Sequence, residues 1–241
     1  MPRSLRYVLG AVIAGLVIFV GGPWVYINFI RDDAPVSFID EVVTTTVVVG
    51  DAATATTVGV NDGSSAPTLA DPTGVWNISA ESQVGYRVDE VLFGQNVTAV
   101  GRTNAVTGTI EIAGGSVVAA KFEVDMTTVT SDEPKRDAQF ASRIMDTLNF
   151  PTSTFVLDSP IVLQADATTT SVSHTARGTL TLRGTSKPVE VTVASIVRDG
   201  RIVVIGEVPI VFAEWGIPNP SIPGITTEDA GVLEFNLVLE R

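Results

Sequence analysis

GTLTLRGTSKPVEVTV, residues 178–193, holds two apolar alternations around a short polar break. Leu180 and Leu182 share one face of the first run, and Val189, Val191 and Val193 share one face of the second. A period of two puts one face of a strand in a core and the other in water. Gly184 suits a turn backbone, and Pro188 opens the second run, where a missing N–H does least harm. The stretch reads as two adjacent antiparallel strands, over 179–183 and 188–193, joined by RGTSKP. Arg183 and Lys187 read first as turn-end charges, and second as rim contacts for an anionic head group.

The same period recurs along the chain from Gly74 onward. Val84, Tyr86 and Val88 share a face, as do Phe122, Val124 and Met126. So do Phe155 with Leu157, Val208 with Ile210 and Phe212, and Leu233 with Phe235, Leu237 and Leu239. About eight such runs with short turns point to a barrel or a sandwich. SDEPKRDAQFASRIMD, 131–146, breaks the pattern. Ser131 or Asp132 there suits a helix cap, with Pro134 in the first turn. Phe140, Ile144 and Leu148 share one face if the helix runs that far. The expectation is an all-β, antiparallel barrel of about eight strands with one short helix, over residues 74–241.

The chain has 241 residues and a net charge of −12, with a single histidine and no cysteine. The acidic balance argues against general nucleic-acid binding, which needs a basic footprint. Without cysteine there is no disulfide frame, thiolate metal site or thiol nucleophile.

Residues Tyr7 to Ile30 carry no charge. At 1.5 Å per residue this stretch is long enough to cross a hydrocarbon core of ~30 Å. Arg3 and Arg6 precede it and Asp32 and Asp33 follow, so the positive-inside rule sends the remainder out of the cytoplasm. Residues 1–30 are therefore expected to be a transmembrane helix, giving a single-pass cell-membrane protein with an extracytoplasmic domain. A cleaved signal peptide and a buried soluble helix are the competing readings. Residues 31–73, rich in Thr, Ala, Val and Gly, read as a flexible tether.

A search for chemistry finds little. No G-x-S-x-G, Walker loop, H-E-x-x-H or dinucleotide fingerprint occurs. His174 reads as structural or solvated. Asp132, Glu133 and Asp137 favour a helix N-terminus rather than forming an acid–base pair. No cofactor or metal site emerges, and the chain is not expected to be an enzyme. What remains is a β container whose interior is either a packed core or a ligand cavity.

Several blocks in order resemble the YceI-like family. WNISAESQVGYRV (76–88) is similar to the family's opening W-x-I-D-x-x-H-S-x-V-x-F. KFEVDMTTVTSDEPKRDAQFASRIMDTLNFPTSTF (121–155) resembles its central signature. GTLTLRGTSKPVEVTV resembles the G-x-L-T-I-R-G-V-T-K-P-V block, and FAEWGIPNP (212–220) the late-strand region. The resemblance covers residues 74–241. It implies a lipocalin-like barrel that binds a polyisoprenoid or similar amphiphile. Gln139 stands where the family has a histidine in R-D-x-H-L, and Arg143-Ile144-Met145-Asp146 replaces D-F-F-D. Glu81 precedes Ser82 where the opening block has its histidine. Contacts made through those histidines do not carry over.

The leading expectation is a membrane-anchored lipid-binding barrel. Val84, Tyr86, Phe93, Phe122, Phe140, Phe155, Phe212 and Trp215 would hold an isoprenoid-type chain, and Arg136, Gln139 and Arg143 would meet a head group. The alternative is a non-catalytic envelope interaction or stress module with a filled barrel. An enzyme acting on an envelope lipid is a third reading, and would need convergent polar groups inside the cavity. Oligomeric state is open.

Overall fold

In the computed structural model, residues 34–40, 71–163 and 171–241 are described. The expected membrane span and most of the expected tether lie outside them. Among the described residues no helix is long and apolar enough to cross a membrane.

Alternating sequence gives antiparallel sheet throughout. Strands β1 (Gly74–Ile78), β2 (Gln83–Leu92), β3 (Gln95–Thr103), β4 (Val106–Ala113) and β5 (Ser116–Asp125) follow one another. After β6 (Thr130–Ser131) comes helix α1 (Pro134–Gln139). Then come β7 (Thr152–Leu157), β8 (Ile161–Val162), β9 (Val172–Leu182), β10 (Thr185–Arg198) and β11 (Arg201–Val211). The chain ends in β12 (Ile225–Thr227) and β13 (Ala230–Glu240). Strands β1, β4, β5, β7, β9, β10, β11 and β13 close into an eight-stranded barrel through the β1–β13 pairing. Strand β2 takes the rest of the same β13 edge, pairing Arg87 with Val232 and Gln83 with Asn236. The β2–β3 hairpin thus extends the wall at one end, where β6 and β12 pair with it.

Two-residue turns set the register. Phe93-Gly94, Gly114-Gly115, Arg183-Gly184 and Asp199-Gly200 each have positive φ at both residues. This is the type I′ geometry whose twist matches that of paired strands. The RGTSKP break is therefore shorter than expected. Only Arg183 and Gly184 form the turn, and β9 pairs with β10 from Leu182↔Thr185 to Val172↔Ser195. Pro188 sits inside β10, where the strand pairs with β9 alone. The β10–β11 ladder begins only at Val193↔Gly206, while β11 pairs with β13 as far as Val211.

A corner spans that break in the wall. A 3₁₀ turn, Phe212–Trp215, follows β11, and Gly216 in the left-handed region ends it. Trp215 is buried in the core. Arg183 Nη1 donates to the Gly216 carbonyl, and Lys187 Nζ pairs with Glu214 at 3.1 Å while lying over the Trp215 ring. The turn-end charges thus fasten the hairpin to this corner.

The helix is shorter than its sequence suggests. Glu133, not Ser131 or Asp132, caps it by accepting from the Lys135 N–H at 3.2 Å. Ser131 instead pairs with β3 and bonds Asp137 through its N–H and hydroxyl. Beyond Gln139 the chain widens into a π turn, Phe140–Ile144, with the Met145 N–H on the Phe140 carbonyl at 2.8 Å. The wider turn buries both Phe140 and Met145, and the chain leaves Leu148 91% exposed. The expected Phe140–Ile144–Leu148 face is not formed.

The segment 34–40, inside the expected tether, packs on the outer face of the barrel. Phe38 is buried there, with the Arg102 guanidinium 4.0 Å from its ring centroid. Arg102 Nη2 donates to the Val36 carbonyl at 2.6 Å, and Arg87 Nη1 to the Pro35 carbonyl at 2.5 Å. Beneath this cover lies Glu234, fully buried, bonded by Arg102 Nε at 2.9 Å. Glu234 points away from the lumen because its neighbours Leu233 and Phe235 point into it.

Candidate functional site

The barrel interior holds two adjoining cavities. The inner one has a volume of about 490 Å³ and the outer one about 440 Å³. Both lie within the usual size range of ligand pockets. Val84, Val124, Ser153 and Leu233 line both, so the two lie end to end.

The room exists because large inward rings lie flat on small neighbours. A Cβ on Gly101 would meet Tyr86 at 2.4 Å, and one on Gly206 would meet Phe235 at 2.5 Å. Gly108 and Gly178 stand in the same relation to Phe122 and Phe155. Each ring covers a glycine on an adjacent strand and stays near the wall. Phe122 and Phe155 also stack on one another, with centroids 6.3 Å apart. An alternating pattern reveals which residues face inward. It does not reveal that the rings lie along the wall rather than across the lumen.

The inner cavity is lined by aliphatic and aromatic side chains together with a few neutral polar ones. Among its lining residues none carries a carboxylate, an ammonium or a guanidinium. His174 and Ser195 are on its wall, at the end of β9 and β10 away from the Arg183-Gly184 turn. Burial pushes the His174 imidazole pKa down, which favours its neutral form. The sequence reading of this residue as structural or solvated missed its place on the cavity wall.

The outer cavity lies under α1 and the β2–β3 extension. Tyr86 stacks on Phe140, with centroids 5.2 Å apart. Burial raises the Tyr86 phenol pKa, so it stays protonated. Glu90, Asp132, Glu133, Lys135, Arg136 and Gln139 line the rim. Arg136 is held by acids, with Asp132 on Nη1 and Glu90 3.7 Å from Nη2. A guanidinium so neutralised is a poor receptor for a phosphate.

The expected site residues divide accordingly. Val84, Phe122 and Phe155 line the inner cavity. Val84, Tyr86, Phe93, Phe140, Phe212, Arg136 and Gln139 line the outer one. Trp215 and Arg143 line neither. Trp215 belongs to the corner that spans the β10–β11 break, and Arg143 donates to the carbonyl of Pro220, a residue of the outer cavity's lining, at 2.7 Å. Small residues such as Ala120 and Ala176 line the wall unannounced, since their lack of bulk carries no motif.

The family model of the YceI-like domain matches residues 76–239. The chain belongs to the YceI-like family. Among solved structures, a polyisoprenoid-binding domain from Saccharophagus degradans implicated in plant cell wall breakdown superposes with a TM-score of 0.56 at 14% identity. The match covers 70% of this chain and 98% of that one. BcnA from Burkholderia cenocepacia superposes with a TM-score of 0.53 at 18% identity, covering 67% and 98%. At such identities the likeness is one of fold. No curated protein is similar to the chain in sequence.

Proposed function

We propose that this protein is a membrane-anchored, extracytoplasmic carrier that holds a polyisoprenoid or similar long amphiphile in its barrel. The observation that carries the reading is the pair of adjoining apolar cavities, 490 and 440 Å³, placed end to end along one lumen. Family membership and a polyisoprenoid-binding structural neighbour support the ligand class. The uncharged stretch Tyr7–Ile30, with arginines before it and aspartates after it, supports the anchor and the orientation. The protein makes and breaks no bond. Affinity comes from taking the chain out of water, about 0.8 kcal/mol for each CH₂ buried, less the cost of ordering it. The alternative of a filled barrel requires a lumen closed by side chains, and the flat-lying rings oppose it.

Lipid extraction of the purified full chain, followed by mass spectrometry and titration with polyprenol probes, tests the reading. A co-purifying apolar chain, or saturable uptake of one probe per barrel, is expected. A barrel that carries no lipid and takes up no probe would refute it.

A further inference from the structure

His174 presents an imbalance that the tail-binding reading does not absorb. It is 9% exposed, and its Nε2 is buried without a hydrogen-bond partner. A buried polar atom left unpaired is unfavourable, so one carried by a side chain in the wall of an apolar chamber calls for a partner. Its surroundings narrow the chemistry of that partner. On β9, His174 alternates with Ala176 and Leu180 on the lumen face, and it pairs across to Val193 of β10. Ser195, two residues along β10, also lines the chamber. Ser153 is a polar wall residue too, but its hydroxyl already donates to the Thr181 carbonyl at 2.8 Å. The chamber therefore offers an imidazole and a hydroxyl at one end of an uncharged wall.

We propose that this end of the inner chamber is a hydrogen-bonding site for an uncharged oxygen group, a hydroxyl or a carbonyl, borne by the ligand. His174 Nε2 and the Ser195 hydroxyl are its partners. The proposal rests on the reading that the barrel holds an amphiphile, and it adds an orientation: the polar end lies at the end of the lumen away from α1 and the tail extends toward α1. An anionic head group is disfavoured at this end, because the inner wall has no cation to meet it. At the outer rim Arg136 already serves Asp132 and Glu90, and Lys135 is the other basic residue of the lining. Burying an uncompensated phosphate among aliphatic side chains is strongly unfavourable. A neutral oxygen loses far less on leaving water, and regains a hydrogen bond from the imidazole.

His174 is the sole histidine of the chain, so its ring nitrogens give a single, assigned pair of signals in ¹⁵N NMR of the full-length protein. Three probes of equal chain length separate the outcomes: geranylgeraniol, its phosphate monoester, and the corresponding hydrocarbon. Geranylgeraniol is expected to shift the Nε2 resonance, and the hydrocarbon to bind without doing so. Alcohol should bind about fivefold tighter than hydrocarbon, the equivalent of one net hydrogen bond of ~1 kcal/mol. His174→Leu should abolish that preference and His174→Gln should retain most of it. The proposal is overturned if alcohol and hydrocarbon bind alike and leave the imidazole equally unmoved, an outcome that leaves lipid binding itself intact. Tighter binding of the phosphate than of the alcohol also overturns it. If no probe binds at all, the carrier reading falls with it.

Discussion

Glu234 sets a charge where alternation predicts an exposed one, yet the side chain is wholly buried under Arg102, Arg87 and Phe38. Burial raises its pKa and outweighs the lowering by the Arg102 bond and by the two arginine charges. The native state therefore binds the proton more tightly than the unfolded chain. It follows that this group's contribution to stability is fully present below the ordinary carboxylate range, and is lost as the pH rises through the raised native pKa. Urea midpoints of the wild-type protein should fall across that window, and those of Glu234→Gln should lack that component. Equal pH slopes in the two proteins would contradict the assignment. None of this was legible in VLEFNLVLER, because the cover comes from residues 34–40, far away in sequence. Gly206 illustrates a second residue-scale constraint. It leaves space for the Phe235 ring, which lines the inner cavity, and the three atoms nearest to a Cβ there all belong to that ring. Gly206→Val should tilt Phe235 into the lumen, cost about 1–3 kcal/mol by overpacking, and reduce probe uptake while the fold persists. Unchanged uptake, measured by the same lipid titration, would show that the ring has room elsewhere.

At the scale of elements, the break between β10 and β11 is the least regular part of the wall. GTLTLRGTSKPVEVTV shows the two strands and their inward faces, and Gly184 marks the turn. It does not show that β10 loses its β11 partner before Val193, since ladder ends depend on how the barrel closes. Nor does FAEWGIPNP reveal that it spans the opening. Trp215, an expected ligand contact, lines neither cavity; it is packed in the wall under Lys187, which pairs with Glu214. Trp215→Ala should cost about 3–5 kcal/mol of stability. At a temperature where the variant remains folded, its affinity for polyprenol should match wild type. A large loss of affinity in the folded variant would return Trp215 to the ligand site. The helix shows a similar limit. Its start is readable from Pro134, but the π turn begins at Phe140, whose ring stacks on Tyr86 of β2, a partner far away in sequence.

For the whole molecule, fold class followed from periodicity, and closure from the number of strands and the family resemblance. The cavity did not follow. Inward Val, Leu and Phe describe a packed core as well as a hollow one, and the difference lies in glycines set beneath rings on neighbouring strands. The expected tether proved partly docked, with Phe38 and two backbone carbonyls held by Arg87 and Arg102. The docked stretch begins four residues after Ile30, the end of the proposed anchor, which leaves a short connection between the two. The most direct test of the account is native mass spectrometry of the purified full chain in detergent, before and after incubation with a polyprenol. A discrete mass increment of one lipid per barrel is expected, displaced by the probe and weakened by Gly206→Val. A barrel that stays at its bare protein mass with every probe, in wild type and variant alike, would contradict it.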